Sequence, residues 1–251
     1  MIKEKDGITI KLTVLGNNGT CPAAGGACSC YLLEVGGKRL LLDAGNGGAA
    51  NLQRLCGLAE LDGIVISHLH FDHMADLFPI KYALETRKAL GESVPVLPLW
   101  LPAYPQWVAA ELEPNGVFDF HIISDGVKAP FGACELRFSL VRHLVDSFAV
   151  RVEGEGKVFA YSADSGECPA LTAVARGAGL FLCESTFLED NSELSHHLSV
   201  RGTAETARAA GVERLLLTHF SEPGRTAEYE AAAQEGFPGT RASRIGETVE
   251  F

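Results

Sequence analysis

Residues 61–76 read LDGIVISHLHFDHMAD. Gly63 to Ile66 form an apolar, β-branched run with the profile of a buried strand. Directly beyond it, His68, His70, Asp72 and His73 make an H-x-H-x-D-H pattern. The helical H-E-x-x-H pair is absent, so the spacing predicts a strand-to-helix loop that aims alternate side chains at two neighbouring points. Imidazole and carboxylate donors in this mixture suit zinc, and iron or manganese is chemically compatible. A lone histidine at a strand end is ordinarily structural; four donors in six positions read as a ligand set.

Other apolar runs end in the same way. "LLLDAG" stops at Asp43, "FAYSAD" at Asp164, "FLCES" at Glu184 and "LLLTH" at His219. If these strands share a sheet edge, their polar ends meet where open α/β sheets keep their ligands. Further strands are predicted in "ITIKLTVLG", "CYLLEV", "VPVLPLW" and "CELRFSLVRH", and "VRVEGEGKVFAY" reads as a hairpin. Helical periodicity fits "AANLQRLCGL", "DHMADLFPIKYALETRKAL", "YPQWVAAELE", "CPALTAVARG", "TAETARAAG" and "TAEYEAAAQEG". Strands dominate early and alternate with helices later, which predicts an α/β fold of mixed sheets with helices on their outer faces.

The 251 residues, 47% hydrophobic and 21% charged, suit an ordinary globular protein, and one domain over residues 1–251 is the expectation. The N-terminus "MIKEKDGITIKL" carries no signal-like apolar core, and no run nears the roughly 20 apolar residues of a bilayer span. A cytoplasmic location without membrane contact is therefore expected. Seven scattered cysteines read as reduced thiols. Cys28 and Cys30, which could clip a metal with Cys21, read more readily as small buried hydrophobes. A net charge of −11 opposes binding of a long polyanion, although bound cations would concentrate positive charge in one cleft. The Gly-rich stretches lack the Gly-Lys-Ser/Thr of a phosphate loop, and "YSADSGE" is no G-x-S-x-G elbow.

"SHLHFDH" resembles the signature of the metallo-β-lactamase superfamily of dinuclear metal hydrolases. His143 in "VRHLVDSFAVRV", Asp164 in "FAYSADSG" and His219 in "RLLLTHF" follow in the order that superfamily uses. The resemblance implies a four-layer αββα sandwich of two mixed sheets, with the metals at one edge between them. Carried over, it implies that His68, His70 and His143 hold one metal, that Asp72, His73 and His219 hold the other, and that Asp164 bridges them. The implied content is two Zn2+ per chain, with Mn2+ or Fe as alternatives.

Four further segments resemble the ribonuclease Z and phosphodiesterase branch: "LTVLGNNGTCP", "SCYLLEVGGKRLLLDAGNG", "LFLCESTF" and "HLSVRGTAETARAAGVERLLLTHFS". That match implies that His197 gives a proton to the leaving oxygen, with His196 as a rival, and that Glu184 orients His197 or a ligand. Asp72 joins them among the implied catalytic residues. Asp43 is expected to hold a ligand imidazole through its free N–H, and His121 is read as structural.

Ribonuclease Z grips transfer RNA with a long Gly- and Lys-rich arm between the segments that match His143 and Asp164. Here residues 144–163 spell only a hairpin. Full-length transfer RNA is therefore not the expected partner; a small phosphodiester, such as a cyclic nucleotide or a short oligonucleotide, is. The expected reaction is hydrolysis by a metal-bridging hydroxide. Lactone or thioester hydrolysis at the same site is the alternative, followed by a mononuclear iron dioxygenase and, last, a binding module without activity. The segment 81–121, with Trp100, Tyr104, Trp107, Phe118 and Phe120, is read as a lid, a stacking surface, a homodimer contact or plain core.

Overall fold

The computed structural model describes residues 9–113, 116–190, 193 and 195–251, and the charged start of the chain, residues 1–8, lies outside them. Its strands form two mixed sheets of seven. The first contains β1 (Ile10–Gly16), β2 (Cys30–Val35), β3 (Lys38–Ala44), β4 (Gly63–Val65), β5 (Leu97–Pro102) and β6 (Phe118–Ile123), and is completed by β14 (Thr248–Glu250) beside β1. The second runs β13-β12-β11-β10-β9-β8-β7, built from β7 (Lys128–Phe131), β8 (Cys134–Val141), β9 (Ser147–Gly154), β10 (Lys157–Tyr161), β11 (Leu180–Glu184), β12 (Leu215–Thr218) and β13 (Arg241–Ala242). Each sheet begins with antiparallel pairs and continues in parallel, from β3 to β6 and from β10 to β13.

Strand periodicity explains the layering. Along β3, Leu40 and Leu42 point between the sheets, toward Phe138, Val150 and Phe159, whereas Leu41 points outward. Leu41 there meets a layer of helices α1 (Gly48–Leu52), α3 (Leu77–Ala89) and α4 (Gln106–Leu112), through Leu52, Leu77, Ile80 and Val108. In β11, Leu182 faces inward while Phe181 and Cys183 face α5 (Pro169–Ala175), α6 (Val200–Ala210) and α7 (Thr226–Gly236). Strands buried on both faces read as continuous apolar runs, which is why "RLLLD" and "LFLCE" lack alternation. The αββα sandwich expected from the sequence is the fold.

Several local expectations are revised. The single helix expected over "DHMADLFPIKYALETRKAL" is two, α2 (Phe71–Met74) and α3. Asp76 separates them because its N–H donates to Ala44 O of β3 at 2.8 Å and its carboxylate accepts from Ala49 N of α1 at 2.9 Å, both outside α2 and α3. "AANLQRLCGL" is helical only over Ala49–Leu52, within the five-residue α1, and is followed by a short 3₁₀ turn at Leu58–Glu60. The segment 81–121 is no detached lid, since it supplies most of α3, then β5, α4 and β6. Trp100 and Phe118 within it are buried core, while Tyr104 and Trp107 are exposed. The hairpin β9–β10 forms as read, its turn made by Glu155 and Gly156 with φ of 47° and 81°. No helix among the described residues is long and apolar enough to cross a membrane.

Candidate metal centre

β3 and β4 of one sheet, and β10, β11 and β12 of the other, end at a common rim. The polar strand ends therefore converge from two facing sheets, at one edge between them, as the resemblance implied. His68, His70, His143 and Asp164 bring ligand atoms within 4.8 Å of one another, as do Asp72, His73 and His219. Asp164 lies between these groups. Its Oδ2 is 3.6 Å from His68 Nε2 and 3.3 Å from His219 Nε2, and its Oδ1 is 3.3 Å from His73 Nε2. Asp72 Oδ2 is 3.3 Å from His219 Nε2 and 3.7 Å from His73 Nε2, and His143 Nε2 is 3.2 Å from His70 Nδ1.

The donors fit divalent cations on an observation independent of sequence. His68 Nε2, His73 Nε2 and Asp164 Oδ1 are buried and have no hydrogen-bond partner among the described residues. Three such atoms facing one spot would be costly in a protein interior unless a cation answers them.

Their orientation comes from the opposite side of each ring. His73 Nδ1 donates to Asp43 Oδ2 at 2.8 Å, and that carboxylate also accepts from Ser67 N, Ser67 Oγ and the Tyr161 hydroxyl. Because the Ser67 hydroxyl is already given to Asp43, it accepts from His68 Nδ1, 3.1 Å away. The Thr186 hydroxyl is likewise given to Glu184 Oε2, so it accepts from His219 Nδ1 at 2.8 Å. His143 Nδ1 donates to the carbonyl of His196 at 3.1 Å. Four imidazoles are thus held at Nδ1 with Nε2 turned inward, the nitrogen each would offer a metal.

Burial pushes the His68 and His70 pKa values down and takes His143 down to about 4, which keeps these rings neutral. Burial acts against the ionised Asp164 and Asp72, but the surrounding histidines outweigh it and hold both carboxyls below their ordinary range. Burial also acts against a charged His197; the Glu184 and Asp164 carboxylates overcome it and raise the ring to about 9.

His197, rather than His196, shares a donor group with Asp164 and His219. Its Nδ1 lies 2.9 Å from Glu184 Oε1, and that oxygen also accepts from Ser165 N. Glu184 contacts both: Oε1 bonds His197 directly, and Oε2 reaches His219 through the Thr186 hydroxyl. Asp43 sits where it was expected, on the far side of His73. His121 stands apart on β6, bonded to Asp119 and stacked on Trp100. Cys28 and Cys30 are buried, and burial raises the Cys28 thiol to about 12.

The sequence reading passed over Ser67, Tyr161, Thr186, Gly19 and Thr20. Thr20 N donates to Asp72 Oδ2 at 2.7 Å, and a Cβ on Gly19 would come within 2.9 Å of the His219 ring, so the loop after β1 closes over this half of the centre. Asp43, Ala163 and His219 adopt left-handed φ values of 56°, 54° and 59°. Such conformations cost about 1–3 kcal/mol each and concentrate at functional sites.

With this geometry in view, the family described as "Beta-lactamase superfamily domain" matches residues 38–220. The chain belongs to this family. Among relatives in the superfamily, a probable metallo-hydrolase of Bacillus subtilis, YhfI, is 28% identical, over 86% of this chain and 88% of its own length. A ribonuclease Z of Mycobacterium sp. (strain KMS) is 29% identical, over 91% of each chain. The crystal structure of YhfI, described as a metallo-beta-lactamase fold protein, superposes with a TM-score of 0.91 at 26% identity, over 97% of this chain and 100% of that one.

Proposed function

We propose that this metallo-β-lactamase-fold protein is a dinuclear metal-dependent phosphodiesterase acting on a small phosphodiester. The observation that carries the reading is Asp164 standing between two donor groups, with His197 beside it and backed by Glu184. In this proposal His68, His70 and His143 hold one cation, Asp72, His73 and His219 the other, and Asp164 both. A pair of Zn2+ ions, when bound, would acidify a water and neutralise charge on the phosphoryl oxygens.

The chain's own groups do the rest. Glu184 occupies Nδ1 of His197, which leaves Nε2 to carry the proton given to the leaving alkoxide. The Glu184 and Asp164 carboxylates favour the charged ring, the form that can donate. Asp43, Ser67 and Thr186 keep the histidines from turning, so the donor geometry is set before substrate arrives.

Relatives named ribonuclease Z and metallo-hydrolase support hydrolysis and a phosphodiester substrate. The short β9–β10 hairpin and the net charge of −11 favour a small substrate over transfer RNA. The test is parallel turnover of bis(p-nitrophenyl) phosphate and a homoserine lactone by protein of measured metal content. Hydrolysis of the phosphodiester is expected; a lactone-only enzyme would remove the reading, and a single iron per chain would point to a dioxygenase instead.

A further inference from the structure

Apolar side chains that remain in water stand next to candidate ligands along the chain. Phe71, which stands in the chain between His70 of one donor group and Asp72 of the other, is 67% exposed. Leu144 and Val145, directly after His143, are also exposed. Trp107 of α4, 49% exposed, has its ring centroid 6.4 Å from that of Phe71. It also lies 6.2 Å from Phe78, parallel to within 7°. Phe78 is partly buried against the core under the first sheet. Phe71 is tilted by 39° to Trp107, so the aromatic cluster is anchored at Phe78 and open at Phe71.

Two features separate this shelf from stray surface hydrophobes. It is contiguous, and contiguous apolar surface marks a contact site where scattered residues do not. It is also tied to the chemistry, because adjacent Cα atoms are only about 3.8 Å apart and Phe71 is adjacent to a candidate ligand on each side. In α2 the neighbouring Met74 is fully buried, so Phe71 is not needed to fix that turn. A chain of net charge −11 gains little long-range attraction for an anionic substrate, so grip must come from short-range contact. A flat aromatic group meets that need, since stacking is insensitive to charge and tolerant of which base is presented.

We propose that Phe71 and Trp107 form a stacking shelf for the nucleobase of a small nucleotide phosphodiester whose phosphate reaches Asp164 and His197. This rests on the phosphodiesterase reading above and narrows it to substrates carrying a base. The competing occupant is a second copy of this chain.

The test is titration calorimetry of the metal-loaded protein with adenosine 5′-monophosphate and with ribose 5-phosphate, which offers the same phosphate without the base. Wild type is expected to prefer the nucleotide by roughly tenfold or more. Phe71→Ala and Trp107→Ala should lose that preference while keeping their affinity for ribose 5-phosphate, and Trp107→Phe should retain most of it. Equal affinity for the two ligands in wild type, binding of neither, or variants that keep the preference would overturn the proposal. So would sedimentation showing a dimer that Phe71→Ala dissociates without altering the ratio of the two affinities. A base preference lost in the variants of a protein that hydrolyses no phosphodiester would uphold the shelf and remove the phosphodiesterase reading; turnover without base preference would do the reverse.

Discussion

His197 Nδ1 donates to Glu184 Oε1 across 2.9 Å, and Glu184 is itself fully buried at the end of β11. One carboxylate thereby holds the His197 ring through Nδ1, 3.9 Å from Asp164 Oδ2. Replacing His197 by Ala is expected to lower kcat by roughly 10²–10⁴-fold, the usual worth of a general acid. Metal content, measured by elemental analysis on the same sample, should stay at the wild-type value. Simultaneous loss of metal and turnover would recast His197 as a ligand, the role its grouping with Asp164 and His219 also allows.

Thr186 offers a sharper test because it lies outside the donor set. Its hydroxyl is given to Glu184 and accepts from His219. Thr186→Val keeps the shape and removes these bonds together with the 3.2 Å contact to His197 Nδ1, so metal affinity, read by chelator competition, is expected to fall about 10–100-fold. Thr186→Ser should restore most of it. Retention of full affinity in the valine variant would show that His219 is held by packing alone.

The buried Asp43 network predicts a division between stability and metal binding. Tyr161→Phe removes one of the four hydrogen bonds that Asp43 accepts and should cost about 1 kcal/mol in urea unfolding. Asp43→Asn weakens the hold on His73 Nδ1 and should lower metal affinity about 10–100-fold. Equal metal affinity in the Asn variant and wild type would contradict the orienting role of Asp43.

The residues that meet at the rim were readable in the sequence because such side chains are few, polar, and placed where apolar strands stop. Asp43, His68, Asp164, Glu184 and His219 each terminate a run that has no other reason to end in a charge or an imidazole. Thr186 and Tyr161 were not readable: a hydroxyl acts by where it ends up in three dimensions, and "CEST" and "FAYS" look like ordinary strand ends. The break between α2 and α3 was hidden for a similar reason, since Asp76 is drawn to Ala44 and Ala49, partners distant in the chain. β6 and β7 lie at sheet edges, where one side is wet and the apolar signal is diluted by Asp119, His121 and Lys128. Phe71 misleads in the opposite sense, because an aromatic residue inside a dense motif suggests core and is instead exposed.

The central claim is that Asp164 is shared by two cations. Elemental analysis of purified wild type and of Asp164→Asn, each equilibrated with Zn2+ and freed of excess, tests it most directly. The account predicts two zinc ions per wild-type chain, with both sites weakened together in the variant. One ion per wild-type chain, or a variant that still binds two as tightly, would contradict it.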